Sequence, residues 1–445
     1  MQLSKYTVRG VQMLVVLATI AVITTPATAG RFRSAVGGVA IDADGVLSEP
    51  TQQATQLLIN RMKEMTQPAD GEMNEADELR RVSLKGLLKI VAESAAKETE
   101  LPDEVRYLAG IQRVKYVFVY PEQNDIVLAG PGEGWTVTDS GDVVGITTGQ
   151  PVLQLDDLLV ALRTSKQARE VGISCSIDPT QEGIRRMQTV ARKAGTFSKS
   201  VLPRMEKALG PQQISITGVP NDSHFARVLV AADYRMKRIA MHLEPSPMRE
   251  LPSFLSMLKS TNAKVTNVMP RWWLACDYEP MARTADGMGW ELRGPGVKVM
   301  TESEFVDTDG NRKRLGKSGK IAQKWADTMT AHYEDLSKKS AIFGQLRNLM
   351  DLSVIAAVID KNNLDEQAGI DLSQLASDDI PHQSFDAPKT VSSKCSFTKR
   401  GREFLITASG GVEIESWHVA DKSQVDARVS KVYDEAAEAG SSWWK

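Results

Sequence analysis

Cysteine and histidine are scarce in this chain. Its 445 residues include three Cys and five His, and aromatic residues make up 6%. The histidines, His224, His242, His332, His382 and His418, are dispersed. None pairs at i, i+4 and no HExxH occurs, so no zinc-hydrolase helix is on offer. Cys175, Cys276 and Cys395 lack the close spacing of a metal framework, and neither metal nor cofactor is expected. In an oxidising compartment they allow one disulfide and a spare thiol; three buried, unpaired thiols are the alternative. Nor is there a basic excess: 54 Lys and Arg face 56 Asp and Glu, for a net charge of -2. That argues against a nucleic-acid partner. No Gly-x-Ser-x-Gly elbow is present; Ser409 with Gly411 comes nearest, but Thr407 stands where the first glycine belongs.

Long apolar runs are equally few, and the clearest one is terminal. Lys5 and Arg9 precede an apolar stretch from Val11 to Ile23, followed by "TTPATAG" with Ala27 and Ala29. Charge, apolar core and small residues in that order are the pattern of a signal peptide, with cleavage expected after Ala29. The run is about 13 residues, short of the roughly 20 needed to cross a bilayer. No membrane span is therefore expected after cleavage, and the address is the periplasm, cell envelope or exterior. A later apolar stretch, "LRNLMDLSVIAAVID", carries Arg347, Asp351 and Asp360 and reads as a buried helix.

The remaining chain is long enough for two or three domains. Composition and turn signals divide it into an N-terminal helical region (30–100), a first α+β unit (101–210), a second (211–365) and a C-terminal hairpin and helix region (385–445). Helical periodicity is read from Asn74 to Lys97 and again in "PVLQLDDLLVALRTS", "QEGIRRMQTVARKAG" and "NDSHFARVLVAADYRM", the last capped by Asp222 or Ser223. Strands are read in "KYVFVYP", "IVLAG", "GISCSIDPT", "QQISITGVP" and "KRIAMHLEP". Helices and short antiparallel strands come in blocks, which favours an α+β fold over a doubly wound sheet. An internal echo links Arg106–Pro121 with Arg227–Pro245; each is followed by a Gly-Pro-Gly, Gly130-Pro131-Gly132 and Gly294-Pro295-Gly296. It suggests a duplicated helix-plus-meander unit.

Each motif with chemical content has a plainer structural reading. "GPGEGW" holds Gly130, Gly132 and Gly134 at alternate positions, but a dinucleotide fingerprint needs G-x-G-x-x-G opening a helix. The residues after it read as strand, so a tight structural turn is expected, with Trp135 covering it. Gly316-Lys317-Ser318 is half a phosphate loop, but Asn311 stands where the first glycine belongs. The run "NRKRLGKSGK" reads as a basic, solvated loop. The acidic openings at Asp42 and Asp307 lack the twelfth-position Glu of a calcium loop and read as hairpin turns. Pairs such as Asp156 with Asp157, or Asp277 with Glu279, are what so many acidic residues give by chance. Two candidate sites remain. Cys175 served by His224 is the candidate nucleophilic dyad of a hydrolase. Arg271, Trp272, Trp273 and Tyr278 form a candidate binding surface for a sugar ring or peptide; in a strand the two tryptophans face opposite sides, and the plainer, favoured reading packs both in the core.

The segments "LAGPGEGW", "GISCSIDPT", "SHFARVLVAADYRMKR", "MPRWWLACDYE" and "LRNLMDLSVIAAVI" resemble those of exported planctomycete proteins carrying a domain of unknown function, number 1598. The resemblance spans roughly Leu101 to Asp360. It implies a signal peptide and an envelope or extracellular location, and carries over no catalytic residue. The expectation is an exported binding or structural protein, its partner a protein or glycan of the envelope; a hydrolase built on the Cys175/His224 dyad or on dispersed carboxylates is the alternative.

Overall fold

A helix with apolar residues on every side has to be central, and Ala341–Asn362 is. In the computed structural model every residue from Ile342 to Ile359 is buried. By length and composition this helix could cross a membrane, yet its most apolar window is wholly enclosed by protein. The structure describes residues 37–194, 199–260, 268–307, 309–377, 380, 383–400, 402–406, 408–437 and 443–444. The leader expected at 1–29 lies outside them. Residues Phe32–Lys445 form one compact unit.

Among the described residues the strands form two large sheets and two two-stranded ones. The larger has nine strands, with a long middle formed by Gln212–Thr217, Ile173–Asp178, Ser409–Ile414, Val268–Asp277 and Gly296–Val306 in that order. All of these neighbours are antiparallel except Ser409–Ile414 beside Val268–Asp277, which is parallel. The smaller sheet runs Ser423–Val425, Met281–Arg283, Gly289–Glu291, Tyr116–Tyr120, Asp125–Gly132 and Asp77–Ser83, leaving Asp77–Ser83 at its edge. The fold is α+β with antiparallel-rich sheets. Segments from the expected units interleave within both sheets, so no single unit owns either one.

Ser409–Ile414 wedges into the middle of the large sheet because its glycines permit very close approach. A Cβ on Gly410 would lie 1.5 Å from the Trp272 carbonyl oxygen, and its φ of +136° is one that L side chains rarely adopt. A Cβ on Gly411 would lie 1.8 Å from the Cys175 carbonyl oxygen.

Two element readings are corrected. The helix expected from Asn74 begins at Leu84; Asp77–Ser83 is a strand paired with Asp125–Gly132. Ser83 marks the change, its hydroxyl accepting from the Gly86 amide at 2.8 Å as an N-cap. "KRIAMHLEP" is not a strand. The helix His224–Ala240 takes its first four residues, since Met236, Ile239 and Ala240 extend the buried stripe and Lys237 pairs with Asp233 one turn back, and the rest is turn. The internal echo therefore joins a strand, Tyr116–Tyr120, to a helix. Its two Gly-Pro-Gly segments differ as well. Gly294 and Gly296 have positive φ, whereas Gly130 and Gly132 lie in the strand Asp125–Gly132 without it.

Gly130 and Gly134 are thus not the residues of a left-handed turn; they are places where chains touch. A Cβ on Gly130 would lie 2.0 Å from the Arg113 carbonyl oxygen, and one on Gly134 2.2 Å from Asn74 Oδ1. Between them Glu133 is clamped. Its carboxylate accepts from Gln112 Nε2 (2.7 Å), from the amides of Thr147 (3.1 Å) and Thr148 (2.9 Å), and from both threonine hydroxyls. Burial opposes ionisation, but these donors outweigh it and bring the carboxyl down to about 2. Trp135 is buried and donates to the Gln67 carbonyl at 2.9 Å.

Candidate binding face

The strand Val268–Asp277 carries the two adjacent tryptophans, and alternation sends them apart. Trp272 is fully buried, edge-on to Phe254 and Trp325 with ring centroids 5.0 Å away in each case. Trp273 points to the other face, across from Met300 on one neighbouring strand and Gly411 on the other. Of the eight tryptophans, Trp273 alone lies outside the hydrophobic clusters among the described residues. Gly411 offers no side chain to cover the indole on that side.

Arg271 shares this face, its guanidinium 4.7 Å from the Trp273 ring centroid. A chain of ionic contacts holds it there. Glu304, buried on the next strand, lies 3.9 Å from Arg271 and 3.5 Å from Arg312, and accepts from the Ser409 hydroxyl at 3.0 Å. Arg312 in turn donates to Asp178 at 2.7 Å. Burial would raise the Asp178 carboxyl, but Arg312 holds it below the usual carboxylate range. Ser215, Thr217, Glu413 and Met300 are exposed around this ladder, and Ser174 and Ser176 half-buried. The result is a firm, open surface bearing one indole, hydroxyls and charges of both signs.

Tyr278 does not join it. Its hydroxyl donates to Asp351 at 2.7 Å, beside Arg113, which donates to the same carboxylate at 2.9 Å and to the Gly294 carbonyl at 3.0 Å. This interior cluster ties the Gly294-Pro295-Gly296 turn to the central helix.

The candidate dyad is not assembled either. Cys175 is buried on Ile173–Asp178, and burial, reinforced by Asp233, pushes its thiol well up. His224 opens its helix after the N-cap Ser223, whose hydroxyl accepts from the Ala226 amide at 3.1 Å. Its Nδ1 faces both carboxylate oxygens of Asp157 at 3.0 Å, and its Nε2 lies 3.4 Å from Gln154 Nε2. Burial alone would lower the imidazole's pKa, but Asp157 raises it overall. No hydrogen bond joins Cys175 to His224 among the described residues. All three thiols are unpaired, and burial lifts Cys276 and Cys395 to about 12.

A second cation lies under the large sheet. Lys237 donates to Asp233 (2.8 Å) and to the carbonyls of Ile177 (3.0 Å) and Gly410 (3.1 Å). Burial brings Asp233 up to about 6 despite the opposing charge of Lys237. The cavity beside this pair, lined by Tyr234, Arg238 and Met241 among others, is about 30 Å³. That is room for a few waters. No three His, Cys, Asp or Glu side chains converge as a metal-ligand set among the described residues.

With this geometry in hand, comparison adds one finding. Residues 175–254 match the family model described as a protein of unknown function (DUF1598). That domain covers the strand with Cys175, the paired helices after it, and the helix carrying His224, Asp233 and Lys237. Searches of curated proteins and of solved structures give no match.

Glu304 and Arg312 were not singled out from sequence, and Asp157 was named only as half of a chance carboxylate pair. Arg312 reads as one cation in a solvated basic run, and Asp157 stands 67 residues from its histidine. The alternation in "VKVMTESEF" was the available signal for Glu304, since it places that residue on the same face as Met300.

Proposed function

We propose that this chain is an exported, non-catalytic binding protein whose open sheet face takes a glycan. The observation that carries the reading is Trp273: a half-buried aromatic ring outside every described core, on a firm sheet, with a clamped arginine over one face of it. Stacking a sugar ring's C–H face on an indole removes apolar surface from water, while the hydroxyls of Ser174, Ser176, Ser215 and Thr217 and the carboxylate of Glu413 match sugar hydroxyls. Export through residues 1–29, a planctomycete source and an envelope or exterior address belong to the same proposal. A Cys175/His224 hydrolase is not favoured, because the thiol is sealed inside the sheet and the imidazole is committed to Asp157.

The test is a glycan array probed with the purified chain and with Trp273→Ala, both checked for equal thermal stability. Saturable binding to oligosaccharides, weakened at least tenfold by the substitution (about 1.4 kcal/mol), supports the reading. Binding that is unchanged in Trp273→Ala, or confined to peptides, removes it. Sequencing the N-terminus of chain recovered outside the cytoplasm tests export separately, with Gly30 expected first.

A further inference from the structure

The edge of the smaller sheet is already in use. Asp77–Ser83 pairs with Asp125–Gly132 on one side only, and an unpaired strand edge is a template for another extended segment. Trp443 and Trp444 of the same chain occupy that template. Val82 forms an antiparallel bridge with Trp444, and the Ser83 amide donates to the Trp443 carbonyl at 2.8 Å.

The cradle is shaped for these two residues. Gly86, in the first turn of the helix Leu84–Lys97, lies so close to the tail that a Cβ there would sit 2.3 Å from the Trp443 Cβ and 2.9 Å from its Cα. Arg80 is 5.8 Å from the centre of the Trp444 ring. That guanidinium is itself fixed, donating to the carbonyls of Met73 and Ala109 at 2.8 Å each and to that of Glu75. Both tryptophans remain half-buried and pack against the main core from outside. The contact is therefore backbone pairing for affinity, one glycine gap and one cation for selectivity, which is how peptides add to sheet edges.

We propose that this edge is a binding site for an extended peptide with two adjacent aromatic residues, and that Trp443-Trp444 is its tethered, removable occupant. The sequence before the pair, "GSS", places no bulky side chain ahead of it. An occupant carried on the same chain competes with an outside peptide as an intramolecular ligand. The site is thereby closed to weak ligands and open to stronger ones, or to any ligand once the tail is cleaved.

The test uses the full chain carrying both Trp443→Ala and Trp444→Ala, titrated calorimetrically with the synthetic peptides GSSWWK and GSSAAK. Saturable binding of GSSWWK, at least tenfold tighter to the double variant than to the unsubstituted chain, and none of GSSAAK, is expected. Equal affinity for the two proteins, equal affinity for the two peptides, or no binding to a folded double variant overturns the proposal. Should the double variant fail to fold, Gly86→Leu in the otherwise unchanged chain decides it. Filling the gap is expected to speed carboxypeptidase removal of residues 443–445 at least fivefold with the far-ultraviolet spectrum unchanged, and an unaltered rate overturns it.

Discussion

Exchanging Glu133 for glutamine keeps the side chain's shape and removes its charge. In the native fold the carboxylate accepts from three side chains and two backbone amides. A glutamine has one acceptor oxygen, and its NH₂ would face donors that then lose their partner. The carboxyl falls from an ordinary 4.5 to about 2 in the folded chain. A shift of that size corresponds to about 3 kcal/mol at neutral pH. The sign follows from the depressed value: the contribution is complete above the unfolded pKa and lost as pH falls through the folded one, so the window runs from about pH 5 to about pH 2. Urea unfolding followed by circular dichroism at pH 7 and pH 3 would measure it. Glu133→Gln is expected to be about 2–4 kcal/mol less stable at pH 7, and the gap to shrink by about 2 kcal/mol at pH 3. A variant within 0.5 kcal/mol of the parent at pH 7, or a gap that ignores pH, would refute the clamp.

Gly410→Ala is expected to cost about 3 kcal/mol or more in the same unfolding assay, because it combines a backbone clash with an unfavourable φ. His224→Gln should be more damaging at about pH 5.5 than at about pH 9: the raised imidazole pKa gives stability that is full below the unfolded value and disappears as pH rises through the folded one. Thermal melts at the two pH values read the difference, and the groups facing the ring are Asp157, Asp156, Asp142, Gln154 and Arg227. Maleimide should leave Cys175 and Cys395 unmodified in the native chain and label both in urea, as mass spectrometry would report; rapid native labelling of Cys175 would revive it as a nucleophile.

What the sequence made legible was local. Period-two alternation separated Trp272 from Trp273, and the cap was narrowed to Asp222 or Ser223, of which Ser223 serves, because a capping hydroxyl acts within one turn. The glycines of "GPGEGW" marked a special place, but spacing alone could not separate a left-handed turn from close contact between chains. That distinction lies in residues as far away as Asn74 and Arg113. Lys237 and its neighbours read as a strand because the Asp233 pairing and the buried stripe that keep them helical depend on packing. The ladder from Asp178 to Arg271 draws on four stretches of chain, and Ser409 enters it only through the order of strands in the sheet.

That order also sets a schedule. Ile173–Asp178 and Val268–Asp277 are separated in the finished sheet by residues 409–414, made about 230 residues after Asp178. At ordinary ribosomal speeds the delay is on the order of ten to fifty seconds. Throughout it the strand with Cys175 lacks the partner that joins it to the strand with both tryptophans, which itself waits about 130 residues. The stretch 175–254, although recognisable as a domain by sequence, therefore has no finished sheet of its own to close on. A chain shortened before residue 409 should behave as a client for chaperones and proteases, not as a smaller version of the same protein.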